Sequence, residues 1–168
     1  MNLTTANIAI NAAYYFLTVG VAPWLVLMIE NRLKLNRHPT SWLRGIGLAV
    51  GLLSTALQLW CIVLLQKQGG GTPSPARPPI RLVTTGPYRF VRNPLNIGEL
   101  GLFLALAAWF GSPLLFIYAL LAWCAFHFFI VGWEEPRNLQ ALGNDYARYR
   151  QGVNRWLPRA RTVSSARI

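Results

Sequence analysis

Apolar residues in this chain come in long blocks between shorter polar stretches, and the blocks set the expected architecture. The first runs from about Ile8 to Ile29, long enough at ~1.5 Å per helical residue to cross a hydrocarbon core of about 30 Å. Pro23 predicts a kink within it. The second runs from about Trp42 to Leu65; its small residues Gly45, Gly47, Ala49 and Gly51 predict close helix approach, and Gln58 reads as an interhelical hydrogen bond. The third, Ile97 to Phe110, would reach only about 21 Å. Gly111-Ser112-Pro113 predicts a turn, and the fourth block, Leu114 to Trp133, is again full length. Blocks three and four thus predict a tight helical hairpin. The expected fold is all-α: a polytopic membrane protein with about four transmembrane helices, a cytoplasmic loop and an amphipathic C-terminal helix.

The polar stretches are unequal. The connector from Gln66 to Pro94 opens with QKQGGGTPSPARPP, too rich in Gly and Pro for regular structure. In the tail, Leu139, Leu142, Tyr146 and Tyr149 recur at helical spacing, which predicts an amphipathic helix on the membrane surface or on the connector. Residues from about Arg159 onward read as disordered. No Lys or Arg precedes the first block, unlike the usual signal peptide. There is no internal repeat. We read residues 1–168 as a single domain, with two N-terminal spans in 1–65 and the chemistry in 66–158.

Composition sharpens this picture. The chain of 168 residues is 54% hydrophobic and carries 16 Lys and Arg against 5 Asp and Glu, a formal charge of +11. The positive charge is confined to segments between apolar blocks, which fits anionic lipid and argues against nucleic acid. Cys61 and Cys124 lie inside apolar blocks, His38 and His127 are isolated, and neither a disulfide framework nor a metal site is expected. Four spans place the connector and the tail on one side with twelve basic residues, against Arg32, Lys34, Arg37 and Arg44 on the other. The positive-inside rule then puts both termini in the cytoplasm, where soluble nucleotide cofactors are found.

Residues 86–99, GPYRFVRNPLNIGE, bring the candidate chemistry to the start of the hairpin. Tyr88, Arg89, Arg92, Asn93, Asn96 and Glu99 lie there; Glu134, Glu135, Arg137, Asn138 and the Tyr146–Arg150 group lie at its other end. An antiparallel hairpin brings both groups to one membrane surface. The plain reading is that these arginines snorkel to lipid phosphates and that Glu134 and Glu135 merely end a span. Glu99 resists it, because a carboxylate one turn inside an apolar run has a functional default. The glutamate pair resists it too: if a helix ends at Trp133, its dipole disfavours anions there.

The ordered motifs Gly86-Pro87-Tyr88-Arg89-Phe90-Val91-Arg92-Asn93-Pro94, Gly98, the hairpin, Glu134-Glu135, Asp145-Tyr146-Ala147-Arg148-Tyr149-Arg150 and Arg155-Trp156-Leu157-Pro158 resemble the isoprenylcysteine carboxyl methyltransferase and phospholipid methyltransferase group. The resemblance covers about residues 66–158; the first two spans are similar only in being spans. It implies an integral membrane methyltransferase that uses S-adenosyl-L-methionine and a lipophilic acceptor, carboxylate-like or phospholipid amine-like, entering from the bilayer. Arg92, Asn93 and Glu99 are candidate catalytic residues, the first two by this resemblance and Glu99 as the carboxylate inside the apolar run. Gly86, Tyr88, Arg89, Arg92, Asn93, Pro94, Gly98, Glu134, Glu135, Tyr146 and Tyr149 are candidate cofactor-binding residues. Asn93 and Asn96 stand where the family often has His and Tyr; Asn93 can hydrogen-bond but cannot accept a proton near neutral pH. Two rivals stay open: an NADPH-dependent reductase of the sterol-reductase type, and a small four-helix transporter.

Overall fold

The computed structural model describes residues 9, 12–73 and 78–159. The expected disorder after Arg159 falls on residues 160–168, outside the described residues, as do residues 74–77 of the connector. Among the described residues the α-helices include, in order, α1 (Ala22–Arg32), α2 (Ser41–Lys67), α3 (Pro94–Phe110), α4 (Pro113–Phe129) and α5 (Glu135–Gly152). Three continuous helical stretches are long and apolar enough to cross a membrane: Ala12–Arg32, Ser41–Lys67 and Pro113–Gly152. The fourth expected span, α3, has 17 residues, about 26 Å of helix. The protein is an all-α polytopic membrane protein.

The chain divides into two compact units: Met1–Ala56 with Gly98–Ala125, and Leu57–Ile97 with Phe126–Ile168. In the first unit, Pro23 marks a change of helix type. Phe16–Val21 is π-helical and passes into α1, with the Ala22 N–H donating to the Leu17 carbonyl five residues back. Proline lacks an N–H and its ring crowds the carbonyl four residues earlier; the wider π turn accommodates both effects. Of the small residues on α2, Gly47 permits a close approach: a Cβ there would lie 2.8 Å from the Ala105 carbonyl oxygen. Gly51 makes ordinary contact with Ala105, and Gly45 has nothing nearby.

Sequence reading passed over one carboxylate of this unit. Glu30, at the end of α1, is fully buried and accepts hydrogen bonds from Ser112 Oγ at 2.7 Å and the Leu114 N–H at 3.1 Å. It therefore caps α4, whose first turn presents unpaired N–H groups and a positive dipole end. Arg37 lies 3.6 Å from its other oxygen. Glu99 belongs to this unit as well. Buried on α3, it accepts hydrogen bonds from Thr18 Oγ at 3.3 Å and from Tyr14, both on the first span.

The second unit holds the connector. Its described residues from 68 to 85 hold no helix or strand but are packed: the Ile80 and Arg81 N–H groups both donate to the Gly69 carbonyl, at 2.9 and 3.1 Å. Cys61, Leu65, Val83 and Tyr88 form a core with Leu57, Leu64 and Leu95 against it. The expected amphipathic helix is present as α5 but is broken at Gly143, which adopts φ +57°. Beyond the break Tyr146, Tyr149 and Val153 pack with Leu142 and with Leu82 of the connector. Of the two placements expected for this helix, the second half takes the connector.

Candidate active site

The site residues of the second unit come from two stretches of chain, 86–94 and 134–155. Gly86 opens the first, with φ +56°, a conformation that costs any residue with a Cβ. It starts the short 3₁₀ turn Gly86–Arg89, which buries Pro87 and Tyr88. Tyr149 reaches back from α5 and donates its hydroxyl to the Tyr88 carbonyl at 2.6 Å. Next, Val91 pairs with Asn154 in an isolated parallel bridge, and the Arg92 N–H donates to the Asn154 carbonyl at 2.8 Å. Asn93 then precedes α3, its carbonyl accepting from the Ile97 N–H at 3.2 Å, and buried Pro94 fills the first helical position, where its missing N–H is not needed.

Glu135 is the centre of this arrangement. Arg92 Nη2 donates to its Oε1 at 2.9 Å, and Arg155 grips it bidentately, Nε to Oε1 at 2.8 Å and Nη2 to Oε2 at 2.9 Å. Arg150 stands further off, at 4.0 Å. The Arg92 and Glu135 side chains are only 9% and 6% exposed, so this is a buried, charge-assisted network. Burial acts to raise the Glu135 carboxyl, but the Arg155 hydrogen bond and the charges of Arg92, Arg155 and Arg150 outweigh it and hold the group below the usual carboxylate range. Burial lowers the Arg92 guanidinium from the usual arginine value, more than Glu135 raises it.

Glu134 is in the opposite condition. It is half-buried and has no hydrogen bond or ion pair among the described residues. Burial, and then the neighbouring Glu135 charge, push its carboxyl above the usual range. The expectation that both glutamates sit at a helix C-terminus is corrected here. The helix does not end at Trp133; it continues through the π turn Ile130–Glu134 into α5, with Pro136 in the first turn. The apolar run does end at Trp133, so both carboxylates lie beyond the span. Glu135 therefore lies within a continuous helix, and its charge is met by arginines rather than by a helix end.

The remaining candidates fall in different places. Arg89 is exposed and lies over the Phe90 ring at 5.0 Å, apart from the Glu135 network. Tyr146 is buried and Tyr149 fastens the connector. Gly98 and Glu99 fall in the first unit. Two side-chain donors beside the network, Arg92 Nε and Asn93 Nδ2, are buried with no hydrogen-bond partner among the described residues. Arg155, which grips Glu135 most fully, was not among the candidates. The signal available for it was its place in the Arg155-Trp156-Leu157-Pro158 motif. Trp156 donates from Nε1 to His127 Nδ1 at 3.2 Å and anchors that segment.

A family model described as phospholipid methyltransferase matches residues 43–144. The chain belongs to the phospholipid methyltransferase family. The match begins well before residue 66 and takes in α2, so the second span of this membrane methyltransferase is part of the family pattern and more than a span. It ends beside the Gly143 break, leaving Arg150 and Arg155 beyond it. No curated protein matches the chain.

Proposed function

We propose that this methyltransferase moves the methyl group of S-adenosyl-L-methionine to a lipophilic acceptor from the bilayer, at the cytoplasmic face of the membrane. The observation that carries this reading is the inequality of two adjacent carboxylates. Glu135 is neutralised by Arg92 and Arg155, while Glu134 has no cation among the described residues. A half-buried carboxylate without a partner is costly unless a ligand completes it.

The residues fit the cofactor chemically. Glu134 is suited to its ammonium or ribose hydroxyls, and the unpartnered donors Arg92 Nε and Asn93 Nδ2 suit its carboxylate. When bound, the cofactor supplies a methyl group activated on a sulfonium. Transfer of such a group asks for alignment and dryness more than covalent help. The Glu135 network supplies the first by fixing Arg92 against two other segments, and the buried Tyr88, Tyr146 and Tyr149 exclude water around it. A carboxylate acceptor needs no base, whereas an amine acceptor must lose a proton that Asn93 cannot take. The basic connector and tail favour a cytoplasmic site and cytoplasmic termini.

The test is ligand-dependent stability of the detergent-solubilised protein. S-adenosylhomocysteine at a hundred times its Kd stabilises by about 2.7 kcal/mol, read as a raised unfolding temperature, and NADPH leaves it unchanged. A shift from NADPH and none from millimolar S-adenosylhomocysteine overturns the reading in favour of a reductase.

A further inference from the structure

Gln58 lies on α2, nine residues before its end at Lys67, and is 5% exposed. Cys61 and Leu65, three and seven residues further on, belong to the core that contains Val83 and Tyr88. Leu57 of α2 and Leu95 of α3 pack on that same core, so one cluster joins the α2 segment bearing Gln58 to the first turn of α3, next to Asn93. Gln58 Nε2 has no hydrogen-bond partner among the described residues, and neither has Nδ2 of Asn93, which is 7% exposed. Two buried amide donors in one unit therefore lack acceptors.

The sequence-based expectation for Gln58 was an interhelical hydrogen bond, and the orphaned Nε2 argues against it. An unmet donor in an apolar span is among the costlier features a helix can carry. A chain needing only packing here would do better with Leu or Met. Lipid does not relieve the cost, because next to Gln58 the helix exposes Leu59, Trp60 and Val63, while Gln58 itself is covered. What the two amides lack is an oxygen acceptor enclosed within the unit.

We propose that Gln58 is a cofactor contact: its side-chain amide donates a hydrogen bond to an oxygen of the bound nucleoside cofactor, and Asn93 donates a companion bond. This rests on the S-adenosylmethionine reading above. It predicts an unusual pair of effects. Replacing Gln58 by an apolar residue of similar size removes an unmet donor from the free protein, so the ligand-free form becomes more stable. The same change removes a ligand hydrogen bond, so affinity falls. An interhelical bond predicts the reverse: lower ligand-free stability and unchanged affinity.

The experiment compares the parent with Gln58→Met and, as a second apolar variant, Gln58→Leu in detergent. It measures the ligand-free unfolding temperature and the Kd for S-adenosylhomocysteine by calorimetry. The expected result is a raised ligand-free midpoint with an affinity loss of about tenfold. Unchanged affinity in both variants overturns the inference and leaves the functional reading standing. Weaker binding together with a lowered ligand-free midpoint in both variants also overturns it, by making Gln58 a structural residue. A parent that does not bind S-adenosylhomocysteine overturns the functional reading and, with it, the ligand named here.

Discussion

Replacing Glu135 by Gln keeps the shape of the side chain and one carbonyl acceptor but removes the charge that two arginines share. Arg92 is 9% exposed and Arg155 24%, so neither cation recovers full hydration when its partner is neutralised. Arg150, at 4.0 Å and 45% exposed, adds little. Breaking a buried ion pair from one side costs about 3–5 kcal/mol, a large part of a typical total of about 5–15 kcal/mol. At about 2–4 °C per kcal/mol for a chain of this size, Glu135→Gln should lower the unfolding temperature by roughly 6–20 °C. Glu134→Gln should behave differently, because no ion pair is lost and an uncompensated half-buried charge is removed: unfolding at or above the parental temperature, and S-adenosylhomocysteine affinity reduced about tenfold to a hundredfold. Tryptophan fluorescence on heating reads the first quantity and calorimetric titration the second, after both variants are shown to be monodisperse. A Glu135→Gln protein with parental stability, or a Glu134→Gln protein with parental affinity, would refute the division of labour between the two carboxylates.

Acid should expose the same network. The depressed Glu135 carboxyl contributes stability that is complete above the ordinary carboxylate value near 4.5 and is lost as pH falls through its lower folded value. Glu134, raised by burial, has the opposite sign, so an acid titration of the unfolding temperature should fall more steeply in Glu134→Gln and less steeply in Glu135→Gln than in the parent; parallel curves would remove the electrostatic account. Asn93→Leu should lose cofactor affinity while Asn93→His retains measurable methyl transfer, and normal binding by Asn93→Leu would reduce that position to a turn former. Gly86→Ala places a Cβ at φ +56° and 2.7 Å from Leu64 Cδ1, so unfolding should come earlier by about 1–2 kcal/mol; a parental midpoint would show that the turn relaxes freely. Single cysteines placed in the connector and in the tail should be shielded from impermeant reagent in intact cells, and external labelling of either would reverse the membrane orientation.

What the sequence made legible was whatever leaves a local trace. Apolar blocks announced the spans, and the α3–α4 hairpin followed from Gly111-Ser112-Pro113. Arg92 and the glutamate pair stood out because charges are rare beside such blocks. Which glutamate the arginines occupy had no local trace, since the choice is made by Arg155, twenty residues along the chain. The continuation of the helix past Trp133 was hidden for another reason: a π turn alters the backbone register without changing residue types. Gly143 was visible as a glycine, but the spacing of Leu139, Leu142, Tyr146 and Tyr149 reads the same across a break as through a helix. Glu30 was overlooked because a carboxylate at the polar end of a span looks like a solvated charge, and its cap on α4 comes from a partner more than eighty residues away.

The three residues of the Glu135 network are made in the order Arg92, Glu135, Arg155, at separations of 43 and then 20 positions. All the spans are therefore synthesised before the group that grips Glu135 from two directions. A nascent chain that has made every span still holds a carboxylate met by Arg92 alone until the segment around Arg155 and Trp156 docks. Placing the spans and closing this ion-pair network are thus separate events along the chain. A chain cut short after α5 would keep every span and Glu135 itself but lack Arg155, the group that grips that carboxylate from two directions.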